Sequence, residues 1–452
     1  MSRFAQIIHT QESLEEQEML ATAQDDVGAA ETATEVAEVS NEVGQDVAEI
    51  EAVDTGISDA EGAQDTIAEL TGVAEASLAA DGEQVPEGEV GQDGDGMTET
   101  EAAVVEITHE SIMRSLGFQM ERKTYTPESF NDKKSSRQVT MEALEGLKDS
   151  AKKVGEGIMK ALRAAFDMVV GFIAKLVNSR ALMEKHLVNL TKRVAEAKEG
   201  PKKEAKLKAG STVLSLNGAS DATTAVRVLE GLDHCLGIAS KIADVMYRNK
   251  SLEDSVKIGA EVQNAISSLP ANGKGKGILG GGKAFEANLE GSGEGDKISI
   301  SVVEVGGAKE EIDAPSKSEM TNVLNAAKKV LGHLREAEKI RSRLKDFVAA
   351  FQNASSKAIG AVKTRIGSDE SKLKAGITEV FRAAAWTARS IMSKFMTATF
   401  SHAFKAVKAA ADYVSAGLRN MGDNGDESSA PEPASRAPAA RKGAKAAGNG
   451  AV

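Results

Sequence analysis

Residues 141–176 read MEALEGLKDSAKKVGEGIMKALRAAFDMVVGFIAKL. Within them Leu144, Leu147, Val154, Ile158, Leu162, Phe166, Val169, Ile173 and Leu176 recur at steps of three, four or seven. Lys148, Lys152, Lys153, Lys160, Arg163 and Lys175 occupy other positions. That spacing predicts an amphipathic α-helix with an apolar stripe and a cationic polar face. The pattern continues through Leu182, Leu187, Leu190 and Val194, and Gly200-Pro201 is the expected stop. Residues 146–210 carry 15 basic and 7 acidic groups.

Toward the C-terminus the reading stays helical. One helix is expected from Ala222 to Tyr247 with Asp221 as N-cap, and another from Leu252 to Leu269, ended by Pro270. Nine glycines then fall between 272 and 295, and Lys297–Val305 alternates with β-branched residues, a strand pattern that Ala284–Leu289 can partner. Residues 271–316 are therefore expected to form a Gly-rich β-hairpin insertion. Helix resumes from Ser318 to Ala361 and again from Glu370 to Leu418. The apolar side of the last helix carries Ile377, Val380, Phe381, Ala384, Ala388, Ile391, Phe395, Phe400, Phe404 and Val407. Residues 422–452 are rich in Gly, Ala, Pro and Ser and are expected to be a disordered tail.

Toward the N-terminus the charge inverts. Residues 1–145 hold 34 acidic and 7 basic side chains, a net of -27, whereas 146–452 carry a net of +14. Between Arg3 and Arg114 stand 29 carboxylates and no Lys or Arg, and no aromatic occurs between Phe4 and Phe118. Composition of that kind predicts an acidic, mostly disordered segment over 21–145. Ahead of it, Phe4, Ile7, Ile8, Leu14 and Leu20 suggest a short docking helix over 1–20, with a nascent helix lacking any partner as the alternative. The expected fold is thus mainly α: long amphipathic helices with a small β-hairpin insertion, preceded by a disordered acidic segment. Its parts are 1–20, 21–145, a basic helical region 146–270, the insertion 271–316, a helical region 317–421, and the tail.

Chemistry finds little support among the 452 residues. The 16 aromatics and 42 glycines argue against a dense enzyme-like core, and the one cysteine, Cys235, excludes a disulfide framework. No apolar run is long enough to span a membrane, and the first residues show no secretory signal pattern. Gly277-Ile-Leu-Gly-Gly-Gly-Lys283-Ala284 approaches a phosphate-binding loop, but Ala284 stands where Ser or Thr should hold magnesium, and no buried strand precedes it. No two of the six histidines sit at helical metal-ligand spacing. No enzyme activity, cofactor, metal or small-molecule substrate is expected, and Cys235 reads as a small core residue.

At Arg137-Gln-Val-Thr-Met-Glu-Ala143-Leu144-Glu145-Gly146 the chain resembles the internal head (inner body) proteins of giant tailed bacteriophages. The likeness covers the N-terminal helix, the acidic block and roughly 135–180. It implies a non-enzymatic virion structural protein, synthesised in the host cytoplasm and packaged inside the head. It further implies an acidic propeptide removed by the prohead protease, which in that family cuts after Glu in a small-x-Glu motif. Ala143-Leu144-Glu145 fits the motif where the charge changes sign. Ser13-Leu-Glu15, Ala29-Ala-Glu31, Ala33-Thr-Glu35, Ser40-Asn-Glu42, Ala197-Lys-Glu199, Ser251-Leu-Glu253, Ala284-Phe-Glu286 and Ser292-Gly-Glu294 fit it too. The expected partners are the prohead protease, other head proteins and packaged DNA. DNA would be contacted without sequence preference through Lys148, Lys152, Lys153, Lys160 and Arg163 and through Lys202, Lys203, Lys206 and Lys208. The alternative is a membrane-active protein ejected with the DNA, with the amphipathic stretches Ile158–Val177 and Ile377–Val407 acting on the host envelope.

Overall fold

A 64-residue helix forms the axis of the molecule in a computed structural model that describes residues 25–79, 94–118, 125–198, 203–249, 252–290, 297–364 and 386–422. The acidic block holds two helices, α1 (Asp25–Ser77) and α2 (Glu99–Ser115), and the axial helix is α3 (Lys133–Glu196). At 1.5 Å per residue α3 is about 95 Å long. It starts eight residues ahead of Met141, where the Asp132 carboxylate accepts the Ser135 N–H at 2.9 Å. The apolar stripe read from the sequence, Leu144 to Leu176 and on to Val194, is buried, with only Leu182 partly open.

The acidic segment is helical over 25–77 and 99–115, and this corrects the compositional expectation for those residues. Helix α1 spans 53 residues with fifteen carboxylates and no Lys or Arg. Val36, Val43, Ile50 and Ile57 stand seven residues apart and are buried, with Ile67, Ala74 and Leu78 continuing the stripe. A seven-residue apolar repeat is the seam of a coiled coil. Its partner is α3, the most extensive helix–helix contact in the chain. The pair is antiparallel, because Glu75 meets Lys148 while Asp46 meets Lys175. Alone, α1 would be a poor helix: Gly44, Gly56, Gly62 and Gly72 interrupt it, at about 1 kcal/mol each relative to alanine. Its order therefore comes from packing on α3. The seam also exists in sequence on the α3 side, where Leu162, Val169, Leu176, Met183 and Leu190 repeat at seven.

Beyond α1 the chain returns onto the start of α3. The Gly94 and Gly96 N–H groups donate to the Leu78 and Ser77 carbonyls at 3.0 and 2.9 Å, and Arg137 donates to the Gly94 carbonyl at 2.6 Å. Gly96, at φ +83°, lies where a Cβ would come 2.7 Å from the Arg137 backbone nitrogen, so only glycine fits this return. Met97 N–H donates to Thr140 Oγ1 at 2.8 Å, and a Thr98–Glu101 capping box opens α2. The first turns of α3 are thereby tied to the end of α1.

The C-terminal half packs around α5 (Ala222–Arg248), which follows the short α4 (Ser211–Leu214) and is capped by Asp221 as expected. Helices α6 (Leu252–Ser267), α7 (Lys317–Leu334) and α8 (Ala337–Thr364) follow, so the helix expected over 318–361 is two helices with a break near Arg335. The last expected helix is described from residue 386: a π-helical segment, Ser390–Met396, runs into α9 (Thr397–Asn420). The expected hairpin pairs as read, with Ala284 opposite Val303 and Leu289 opposite Ile298, but it belongs to a four-stranded antiparallel sheet. The order is β2 (Ala271–Asn272), β3 (Gly275–Gly280), β4 (Lys283–Glu290), β5 (Lys297–Glu304). Strand β1 (Lys206–Leu207) pairs separately with β6 (Ile312–Asp313). Phe285 of β4 stacks on Phe395 with ring centroids 4.7 Å apart, fixing the sheet to the π-helical segment. The expected docking helix over 1–20, the tail from 423 and residues 370–385 of the last helix lie outside the described residues.

Packing as the source of order in α1 has a direct consequence. Ile57→Ala deletes a fully buried side chain at the middle of the seam and is expected to destabilise the α1–α3 pair by about 2–5 kcal/mol. Amide exchange over 36–77, slow in the intact chain, should accelerate in the variant while exchange in α5 stays unchanged.

Candidate functional site: the seam between acidic and basic helices

The two charge blocks meet through specific ion pairs. Along α3, Lys175 Nζ lies 2.7 Å from Asp46 and Lys148 Nζ 3.1 Å from Glu75. On the other side of α1, Arg389 donates through Nε to Asp54 and through Nη1 to Glu61, both at 2.6 Å, and Lys394 Nζ reaches the second Asp54 oxygen at 2.6 Å. Asp54 and Glu61 stand seven residues apart, on one face of α1, so a single guanidinium bridges them. The Asp54 and Arg389 side chains are only 3% and 9% exposed, which places this network in the interior. Arg389 also lies over the Trp386 ring, 5.0 Å from its centroid. Burial pushes the Asp54 carboxyl upward, but the hydrogen bonds and charges of Arg389 and Lys394 outweigh it and hold the group below its usual range.

The residues picked from the sequence are placed as follows. Of the lysine clusters, Lys148 is engaged by Glu75, whereas Lys152, Lys153, Lys160 and Arg163 are exposed along α3. Lys203, Lys206 and Lys208 are exposed around β1, at the far end of α3, and Lys202 lies outside the described residues. The two groups therefore form separate surfaces at different levels of the axis. Ala143 and Leu144 are each 2% exposed inside the unbroken α3, and Glu145 points to solvent. The apolar sides of the two stretches considered for membranes are buried where described: Ile158, Leu162, Phe166, Phe395, Phe400 and Phe404 all pack inside the protein. No helix among the described residues is long and apolar enough to cross a membrane.

The glycine-rich string is a strand turn. Gly280, Gly281 and Gly282 join β3 to β4 with φ of +79°, +62° and +70°, and no helix follows Lys283. Cys235 is fully buried against β3, and burial pushes its thiol up to about 12. No group of three or more His, Cys, Asp or Glu among the described residues could hold a metal ion. Sequence reading missed Arg389, Lys394, Asp46, Asp54, Glu61 and Glu75. The Asp54–Glu61 spacing, in register with the Ile50–Ile57 repeat, was the available signal for part of this set.

A family model of phiKZ-like phage internal head proteins matches residues 45–416, a span that runs from within α1 nearly to the end of α9. The chain belongs to this family. Membership places the internal head protein inside the phage capsid as a structural component. The match begins inside the acidic helix, so α1 is largely part of the family's pattern. No curated protein and no solved structure matches the chain.

The Asp54 network sets a pH and a mutational expectation. With a folded value below the 3.8 of the free group, Asp54 stabilises the fold fully above about pH 4, and that contribution disappears as pH falls through the lower folded value. Exchange over α1 should therefore quicken below pH 4. Arg389→Ala removes the guanidinium from both Glu61 and Asp54, leaving Asp54 with Lys394, and is expected to cost about 3 kcal/mol, read as a lower denaturation midpoint.

Proposed function

We propose that this internal head protein is made as a precursor whose acidic N-terminal part covers a cationic and apolar face. The prohead protease then removes that part after Glu145, leaving a basic helical body that lies against packaged DNA. The observation that carries the reading is the seam itself: Asp46, Asp54, Glu61 and Glu75 of the acidic block neutralise Lys175, Arg389, Lys394 and Lys148 of the basic block. Loss of a segment of net -27 converts a chain of -13 into one of +14. Packaged DNA is a dense polyanion, and a face of that sign gains affinity by releasing condensed counterions. In the precursor the neighbouring carboxylates of α1 act as an intramolecular competitor for the same cations.

The exposed clusters Lys152, Lys153, Lys160 and Arg163, and Lys203, Lys206 and Lys208, supply phosphate contacts without base recognition. Lys148 joins the first cluster when Glu75 leaves. The cleavage step carries a conformational condition. Ala143 and Leu144 are buried within a helix, whereas a protease takes its substrate extended, so the first turns of α3 must unwind before the cut. Their ties to Leu78, Gly94 and Met97 make that opening dependent on the acidic part letting go.

The N-terminal sequence of the protein recovered from mature particles tests this reading. It should begin at or near Gly146. Peptides from residues 30–110 present there at full stoichiometry would overturn it.

A further inference from the structure

The π-helical segment, β4–β5, α9 and the edge of α1 enclose a recess of about 490 Å³ beside the seam. Its lysines are Lys283 at the start of β4, Lys394 in the π-helical segment and Lys405 on α9. Lys394 is committed to Asp54 at 2.6 Å. Lys283 and Lys405 make no ion pair among the described residues, although both are partly buried. Burial depresses Lys405 and the positive charge of Lys283 depresses it further, against a smaller opposing pull from Glu51, so two ammonium groups share one space with only exposed carboxylates near them. His402 beside them is pushed down to about 4 by burial and by the same two lysines, and so is neutral near pH 7. Glu51 and Glu304 also line the recess but are exposed, and neither is ion-paired to a lysine there.

A second, independent observation points to a ligand. Ser393 lines the recess, is 4% exposed, and its Oγ is buried with no hydrogen-bond partner. An unsatisfied buried hydroxyl costs roughly 1–3 kcal/mol and is unusual without a reason. Ser393 sits within the π-helical turn, a departure from α geometry that recurs at functional sites. Half-buried cations countered only by exposed carboxylates, beside an orphaned hydroxyl donor, suit a compact oxyanion.

We propose that this recess binds a phosphate-class oxyanion, held by the Lys283 and Lys405 ammonium groups and the Ser393 hydroxyl. The inference goes beyond the preceding reading and does not depend on processing: the residues belong to the intact chain. The ligand is either a free anion or the phosphodiester of a nucleic-acid strand laid across the mouth, and both present the same oxygens.

Calorimetric titration of the intact protein with inorganic phosphate and with pyrophosphate, in a buffer free of other multivalent anions, tests it. Saturable binding should weaken roughly tenfold in Lys283→Gln and in Lys405→Gln, the loss of one charge-assisted hydrogen bond. It should stay unchanged in Lys329→Gln, which alters a separate groove between α5 and α7. Glu51→Gln removes an exposed carboxylate from the wall and should tighten binding, a gain that misfolding cannot imitate. A short single-stranded oligonucleotide without terminal phosphates separates the sources. Binding of that strand through the same lysines assigns the site to a phosphodiester, and binding of phosphate or pyrophosphate alone assigns it to a free anion. No saturable binding of any probe, affinity indifferent to Lys283→Gln and Lys405→Gln in folded variants, or affinity unmoved by Glu51→Gln would overturn the proposal.

Discussion

The antiparallel seam between α1 and α3 is the contact on which the rest depends. Fifteen like charges on one helix repel one another, and several glycines weaken it further. What holds it is a seven-residue apolar repeat laid on a matching repeat, flanked by cations from α3 on one side and by Arg389 and Lys394 on the other. The apolar stripe supplies non-directional attraction, and the ion pairs fix which acidic residue faces which basic one. Neither would suffice alone. The helix has no cations of its own to screen its carboxylates, and the apolar stripe contains no aromatic residue.

The buried Asp54–Arg389–Glu61 bridge gives the seam its register. Buried ion pairs add little net stability over apolar packing, but they penalise misalignment heavily, because a shift leaves a charge buried and unpaired. A coiled-coil seam built on one heptad repeat could slip by seven residues at modest apolar cost. Slippage here would leave Arg389 facing one carboxylate of α1 instead of two. The same bridge links the acidic helix to the C-terminal half, so α1 touches both ends of the basic block, and its release would loosen the two together.

Much of this was legible in sequence, and the exceptions have physical causes. The α3 stripe, the Asp221 cap and the β4–β5 pairing were read correctly because periodicity and capping are local. The order of α1 was missed because composition outweighed spacing: absence of Lys, Arg and aromatics is the signature of disorder, yet Val36, Val43, Ile50 and Ile57 stood in plain heptad register. The Arg389 bridge could not be read, since it joins positions more than 300 residues apart. The split near Arg335 is marked only by Gly332 inside an otherwise continuous helical pattern, and the π-helical turn at Ser390–Met396 contains no Gly or Pro. The four-stranded sheet exceeded the expected hairpin because β2 has only two residues and β3 is half glycine, which carries little strand signal.

The central claim is that the acidic helix competes with DNA for the basic body. A salt titration of duplex DNA binding, comparing the intact chain with the form recovered from mature particles, measures it most directly. The account predicts that the particle-borne form binds far more tightly at low salt, with a steep fall as salt rises, while the intact chain binds weakly throughout. Equal affinity of the two forms across the titration would contradict it.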